Sequence, residues 1–136
     1  MKRIWIALAA IPLLAGCNAA EDTKAGEAGI ASFHASLNAG KLDQIYADSD
    51  SELKSITTKE DFTKLLTAIH AKLGNFQSGK TVGWNDNATT GGHYLTLTTE
   101  AKYEHGSGQE QFVFKISKGK AVLVGYHVNS NALITG

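Results

Sequence analysis

The sequence has one cysteine, one proline and a single arginine, Arg3, in 136 residues. One cysteine excludes an intrachain disulfide framework and a multi-cysteine zinc site. Arginine is the side chain best suited to bidentate recognition of phosphate and carboxylate groups. Its near absence, together with a formal net charge of zero, argues against nucleic acid as a partner.

The N-terminal residues predict a secretory leader. Lys2 and Arg3 form a positive region, and residues 4–14 are an apolar run of the length that an export signal needs. The run is too short for a membrane-spanning helix, which needs about 20 apolar residues. We therefore expect residues 1–16 to be removed from the mature protein.

The end of this leader, Leu14-Ala15-Gly16-Cys17, resembles a bacterial lipobox. The resemblance implies cleavage before Cys17, diacylglycerol on its thiol and acylation of the new amino terminus. The alternative is an ordinary signal peptide with a chance cysteine. Asn18 after the cysteine resembles the pattern of lipoproteins sorted to the Gram-negative outer membrane. We expect a protein anchored by lipid to the periplasmic face of that membrane, because two or more acyl chains anchor stably.

The chain is predicted to consist of three parts: the leader that is removed, a short tether and one folded domain. The mature protein contains no arginine and is mildly acidic, because the leader carries Arg3 and Lys2. Residues 17–27 are small and polar, which predicts a lipidated cysteine and a short tether. Residues 28–136 have the length and composition of a single domain.

The first half of the mature chain predicts three helices, because its apolar residues recur at the helical period. Gly40 and Gly74 are the expected stop signals. Residues 48–55 predict a polar connection with one apolar anchor, Leu53. The predicted helices are 29–38, 41–47 and 57–73.

The third predicted helix has the clearest signals. Thr57 with Glu60 matches a capping box, and Thr58 with Asp61 offers an alternative one residue later. Its apolar stripe comprises Phe62, Leu65, Leu66, Ile69 and Leu73.

The second half of the chain changes to a period of two, which is typical of strands. The second strand is expected to turn a face ending in Tyr103 inward. The fourth strand is apolar on both faces, which predicts a central strand or one covered on both sides. Short connections favour an antiparallel meander. The predicted strands are 76–84, 93–104, 109–117 and 121–129, with a loop over 85–92.

Helices followed by a four-stranded meander predict an α+β domain with helices on one face of a curved sheet. Residues 33–40 (FHASLNAG), 62–74 and 110–114 (EQFVF) carry a family resemblance. The chain resembles cystatin-like and nuclear-transport-factor-two-like proteins, and more closely small bacterial envelope families of unknown function. The resemblance implies a cone-shaped fold. It implies no catalytic residues, because those families offer no agreed set.

The sequence predicts no cofactor and no metal site. No two of the five histidines have the spacing of a local metal motif. Asp48, Asp50 and Glu52 alternate like the start of a calcium loop, but Leu53 stands where such a loop needs glycine. The alternative is a metal site at which the folded chain brings together histidines that are distant in the sequence.

No catalytic constellation is present either. Tyr46, Tyr103, Tyr126 and His127 are candidates for proton transfer in a cone-shaped pocket. The alternative is that such a tyrosine is buried with its hydroxyl on a backbone carbonyl.

Two aromatic residues indicate a binding surface. Tyr94 lies on the polar face of the second strand. Trp84, at a strand end, either anchors a partner or closes the bottom of the core. With Tyr103, Tyr126 and His127 they form the predicted binding surface or pocket.

These observations predict a non-enzymatic envelope lipoprotein that binds a periplasmic protein or a small ligand. One form of this hypothesis is a scaffold protein, and another is an immunity protein that neutralises a periplasmic toxin. The alternative function is a small hydrolase, isomerase or dehydratase, which requires a pocket with converging titratable groups.

Overall fold

A computed structural model describes residues 19–135, so the predicted leader and Cys17 lie outside the described residues. Helices pack against an open antiparallel sheet with the strand order β1-β2-β3-β4. This architecture confirms the α+β prediction and agrees with the cone-shaped fold that the resemblance implies. The elements are α1 (Ala19–Asn38), α2 (Leu42–Ala47), α3 (Ser51–Ile56), α4 (Lys59–Leu73), β1 (Phe76–Thr89), β2 (Gly92–Tyr103), β3 (Gly106–Ser117), β4 (Lys120–Asn129) and α5 (Asn131–Thr135).

Helix α1 begins ten residues before the predicted start at Gly29, so residues 19–27 are helical where a tether was expected. Gly26 and Gly29 weaken the helical signal, because glycine is the poorest helix former after proline. Packing overrides this preference. A Cβ atom at Gly26 would lie 2.7 Å from side-chain atoms of both Leu95 and Leu97. The glycine therefore lets α1 approach the sheet closely.

The segment predicted as a polar connection contains α3. The side chain of Asp50 caps this helix by accepting the N–H of Glu52 at 2.9 Å, and Leu53 is buried in the core. Helix α4 begins one residue later than the predicted capping box of Thr57 and Glu60 would place it. Its N-cap is Thr58, whose hydroxyl accepts the N–H of Asp61 at 3.1 Å. The Thr57 interpretation was wrong, and Leu65 of the predicted stripe is exposed.

Strand β1 continues through the predicted loop to Thr89, which pairs with Gly92 across a two-residue turn. Bulges interrupt β1 between Phe76 and Ser78 and between Thr81 and Gly83. The inward face of β2 is as predicted, and its buried residues are Leu95, Leu97, Thr99, Ala101 and Tyr103.

Strand β4 lies at the edge of the sheet, so the predicted central position is wrong. Its register shifts beside Val113, which leaves Val124 as an extra residue. The bulge therefore changes which positions of β4 face the core, from odd-numbered before it to even-numbered after it. Leu123 and Tyr126 are both buried for this reason. The bulge explains why this strand is apolar at odd and even positions alike.

The core fills the space between the helices and the inward face of the sheet. Within residues 19–135, no helix is both long and apolar enough to cross a bilayer. The largest fully buried side chains are Leu37, Leu66, Ile69, Leu73, Leu95, Leu97, Tyr103, Phe112 and one charged residue, Glu110.

Candidate functional site

Glu110 lies on β3 at an inward position, two residues before the buried Phe112, and its side chain is fully enclosed. Its carboxylate accepts three hydrogen bonds. Nε2 of His34 lies 2.8 Å from Oε1, and the hydroxyls of Tyr103 and Tyr126 donate to Oε2 at 2.6 and 2.5 Å. A buried charge is tolerated only with such partners, so this cluster joins α1, β2, β3 and β4 at one point.

The two tyrosines of this cluster are proton donors that stay protonated. Burial, and then the negative charge of Glu110, raises the pKa values of Tyr103 and Tyr126. Both hydroxyls are occupied by the carboxylate. Their arrangement suits a structural network better than proton transfer to a substrate.

The structure separates the predicted pocket residues. Tyr103 and Tyr126 meet on Glu110, whereas His127 is exposed on β4 opposite Gln111. The hydroxyl of Tyr46 donates to the carbonyl of Thr57 at 2.9 Å, which matches the alternative interpretation of a tyrosine bound to a backbone carbonyl.

A cleft of about 340 Å³ lies between α1 and β1, beside the Glu110 cluster. The ring of His34 forms part of its wall and stacks on Phe76, with centroids 3.6 Å apart. Thr99 also lines the cleft. This residue is 4% exposed, and its hydroxyl has no hydrogen-bond partner within residues 19–135. Ligand sites have volumes of this order and a few convergent polar groups.

The rim of the cleft carries charges of both signs. The hydroxyl of Thr81 donates to Glu27 at 3.1 Å, which bridges β1 and α1. The positive charge of the rim is Lys80, the neighbour of Thr81 on β1, whose Nζ atom lies 3.7 Å from the carboxylate of Glu100. The cleft is therefore polar at its mouth and partly apolar inside, where Ile30, Ala31, Gly79 and the Phe76 ring complete the lining.

A larger groove of about 1010 Å³ lies at the turn between β2 and β3. Its buried hydroxyl, on Ser130, donates to the carbonyl of Ser107 at 2.6 Å. This groove thus lacks the unmatched polar group that marks the smaller cleft.

A second polar cluster forms where the first turn of α1 meets β1 and β2. Nε2 of His93 contacts Oδ1 of Asp86 and lies 3.2 Å from Oδ2 of Asp22. The exposed fractions of the His93, Asp22 and Asp86 side chains are 22%, 13% and 5%. Burial, then a side-chain hydrogen bond with Asp86 and the charge of Asp86, raises the pKa of Asp22. The three donor groups lie within 4.8 Å of one another.

The remaining predicted residues lie apart from these clusters. Trp84 is 60% exposed on β1, so its ring does not close the core. The Tyr94 hydroxyl donates to Glu52 at 2.7 Å, and Lys115 approaches the same oxygen at 3.0 Å. The hydrogen bond from Tyr94, and then Lys115, lowers the pKa of Glu52.

Sequence reasoning missed Glu110, Asp22, Asp86 and the role of His34. Glu110 had a signal, because extending the alternation of Phe112 and Phe114 backward places it inward. Asp22, Asp86 and His93 had none, since no local spacing connects them.

A family model described as "Protein of unknown function (DUF3887)" matches residues 31–118. No curated protein and no solved structure matches the chain. The matched range contains three residues that line the cleft, His34, Phe76 and Thr99, and also the buried carboxylate of Glu110.

Proposed function

The chain belongs to the DUF3887 family of unknown function, and we propose that it is a lipid-anchored, non-enzymatic binding protein of the bacterial envelope. Its ligand is a small polar molecule that occupies the cleft between α1 and β1. The observation that carries this proposal is the unpartnered hydroxyl of Thr99 in the wall of that cleft.

A buried hydroxyl without a partner costs about 1–3 kcal/mol of folding free energy. Thr99 is at an inward position of β2 where valine would have nearly the same shape. A ligand that exchanges a hydrogen bond with Oγ1 would compensate this cost. The position therefore suits binding better than it suits stability.

The wall opposite this hydroxyl is rigid. His34 is fixed by Glu110 on one edge and by the Phe76 ring on its face. A preformed wall lowers the entropy that binding must overcome. The rim charges of Glu27 and Lys80 favour a ligand that carries both signs or neither.

The arrangement of titratable groups supports binding over catalysis. Tyr103 and Tyr126 point at Glu110, and each hydroxyl is already engaged there. An acid–base mechanism requires a group within hydrogen-bond reach of a substrate. The lipid anchor rests on Cys17 and the preceding leader, and it would hold the domain at the periplasmic face of the outer membrane.

A thermal-shift screen tests the proposed ligand site. The purified chain is tested against zwitterionic amino acids, small dicarboxylates and neutral sugars. We expect at least one class to raise the melting temperature of wild type and not that of Thr99→Val. Without ligand, Thr99→Val should be more stable than wild type by about 1 kcal/mol, because the unmatched hydroxyl is gone.

The matched control is Thr98→Val, on the neighbouring position that faces away from the core. It should bind the same compounds as wild type. Equal responses of wild type and Thr99→Val to every class would contradict the assignment of the ligand to this cleft.

A second candidate function follows from the exposed aromatic residue on β1. Trp84 and Val82 lie exposed on an edge strand, and large apolar residues of this kind often anchor protein partners. This surface fits neutralisation of a periplasmic toxin. Affinity purification would then recover one tight protein partner with wild type and with Thr99→Val. The same partner would be lost with Trp84→Ala.

A further inference from the structure

The cluster formed by Asp22, Asp86 and His93 is independent of the cleft and has the composition of a cation site. One donor comes from α1, one from β1 and one from β2. The three side chains converge although Asp22 and His93 are 71 positions apart in the sequence. Their donor atoms lie within 4.8 Å of one another. Metal–donor distances of about 2.0–2.2 Å require donors about 3–4 Å apart, so a small contraction would suffice.

The charges of the cluster are unbalanced. Two carboxylates face one imidazole, and Glu21 adds a further negative charge nearby. The Oδ2 atoms of Asp22 and Asp86 accept no hydrogen bond from any residue in the range 19–135. One N–H of His93 cannot serve both carboxylates, because its contact is with Oδ1 of Asp86. The Oδ2 atom of Asp22 still lies 3.2 Å from Nε2 of His93, so a cation would take over that contact, whereas the buried Oδ2 atom of Asp86 accepts no hydrogen bond from the described residues.

Because Asp86 is buried, the excess negative charge of the cluster lowers the folding stability of the protein. The side chain of Asp86 is 5% exposed, so water cannot fully solvate its second oxygen. A divalent ion would neutralise both carboxylates at once.

We propose that Asp22, Asp86 and His93 bind a divalent first-row transition-metal ion, with Zn²⁺ as the best match. Calcium and magnesium prefer sites made of oxygen donors alone, and the imidazole nitrogen disfavours them. One nitrogen and two carboxylate oxygens suit zinc in a tetrahedral site. Three protein donors leave one position for water or for a ligand from outside.

The ion would fasten the first turn of α1 to the hairpin of β1 and β2. This contact lies at the opposite end of α1 from Asn38, whose side chain binds the backbone of Phe76. Metal binding would thus fix the end of the helix that the cleft and core leave least supported.

Calorimetric titration of Zn²⁺ into the purified full chain in detergent tests the proposal. We expect one ion per chain in wild type. Asp86→Asn and His93→Gln should each lower the affinity at least about tenfold, since loss of a direct ligand exceeds the effect of outer contacts. His127→Gln and Asp61→Asn, which change exposed groups of the same kinds, should bind Zn²⁺ as wild type does.

Thermal unfolding separates loss of the site from loss of the fold. In chelator, Asp86→Asn should melt at or above the wild-type temperature, because it removes a buried repulsive charge. A hundredfold excess of free Zn²⁺ over the wild-type dissociation constant should raise the wild-type midpoint by about 10 °C and that of Asp86→Asn by at most about half as much. Ca²⁺ and Mg²⁺ should produce no comparable shift.

The opposite results would overturn the site. Absence of Zn²⁺ binding to wild type would do so, as would binding that survives both Asp86→Asn and His93→Gln. Loss of binding in His127→Gln would place the ion elsewhere on the surface. None of these readouts depends on the cleft, so Thr99→Val should bind Zn²⁺ normally even if the ligand proposal fails.

Discussion

The Nε2 atom of His34 lies 2.8 Å from the Oε1 atom of Glu110, although 76 positions separate the two residues in the sequence. This contact crosses the core from α1 to β3. The same carboxylate holds the hydroxyls of Tyr103 and Tyr126, so four elements depend on one charged group. Its role can be measured by substitution.

Glu110→Gln should destabilise the protein by about 3 kcal/mol. The amide has one acceptor atom and one donor group, so it cannot accept hydrogen bonds from His34 and from both tyrosines together. Urea unfolding at neutral pH measures the change. Gln111→Ala, on the exposed neighbour, should change stability by no more than about 0.5 kcal/mol. Equal effects of the two substitutions would show that the buried carboxylate contributes little.

Gly26→Ala should destabilise the protein by about 1–2 kcal/mol. In an unconstrained helix this change would stabilise by about 1 kcal/mol. Here the new Cβ atom would meet Leu95 and Leu97, whose fully buried side chains have no space to move into. Ala28→Gly, on the exposed side of α1, provides the ordinary cost of the reverse change. A Gly26→Ala variant that is more stable than wild type would disprove the close approach of helix and sheet.

Thr58→Ala should cost about 1 kcal/mol, because it removes the hydroxyl that accepts the first-turn N–H of Asp61 in α4. Thr57→Ala should cost clearly less, since the neighbouring hydroxyl does not cap the helix. Paired chemical denaturation curves give the difference. The reverse order would restore the Thr57 and Glu60 capping box that the sequence favoured.

Glu52 should contribute a pH-dependent part of the stability. Tyr94 and Lys115 hold the pKa of Glu52 below its ordinary value of 4.5 in the folded state. The contribution is therefore present above about pH 4.5 and is lost as the pH falls through the lowered pKa. The urea midpoints of wild type and Glu52→Gln should differ at pH 7 and converge as the pH falls below the lowered pKa of Glu52. High salt should reduce the difference, since the group is exposed.

Glu60→Gln is the matched control for this pH series. Glu60 pairs with Lys64 on one face of α4, and both side chains are largely exposed. Its substitution should produce a smaller difference at pH 7. A wild-type advantage over Glu52→Gln that persists unchanged below the lowered pKa of Glu52 would contradict a charge-based contribution.

Cys17→Ser should abolish incorporation of labelled fatty acid and release the protein from the membrane fraction. In the proposed modification the thiol of Cys17 receives the lipid, and a serine hydroxyl would not replace it. Asn18→Asp should keep the label but move the protein to the inner membrane. Continued labelling of Cys17→Ser would rule out this cysteine as the anchor, and an unchanged distribution of Asn18→Asp would rule out the sorting signal.

The sequence predicted the elements whose signals are continuous. Strand β2 alternates without interruption, so its inward face up to Tyr103 was correct. Helix α3 was missed because its six residues contain only Leu53 as a buried anchor, and short helices depend on tertiary contacts. Strand β4 was predicted to be central or covered on both faces because its bulge at Val124 mixes the two faces, which a pattern of period two cannot represent.

The candidate sites depended more strongly on the fold. The tyrosines were identified as pocket residues, yet their shared partner Glu110 was overlooked beside the inward Phe112. The Asp22, Asp86 and His93 cluster needs the extension of α1 and of β1 into segments rich in glycine and polar residues. Such segments carry little hydrophobic patterning, so the sequence gives no signal for the hairpin that brings the three side chains together.

The early start of α1 has a mechanical consequence. Only Asn18 stands between Cys17 and Ala19, where the helix begins, so the proposed site of lipid attachment is at most about 7 Å from the start of the helix. That same helix supplies one wall of the cleft and a donor of the polar cluster. If Cys17 carries the proposed acyl chains, a tilt of the domain against the bilayer would act first on this helix. The anchor would then be a lever on the cleft, and tension at the membrane would change how tightly the cleft holds its ligand.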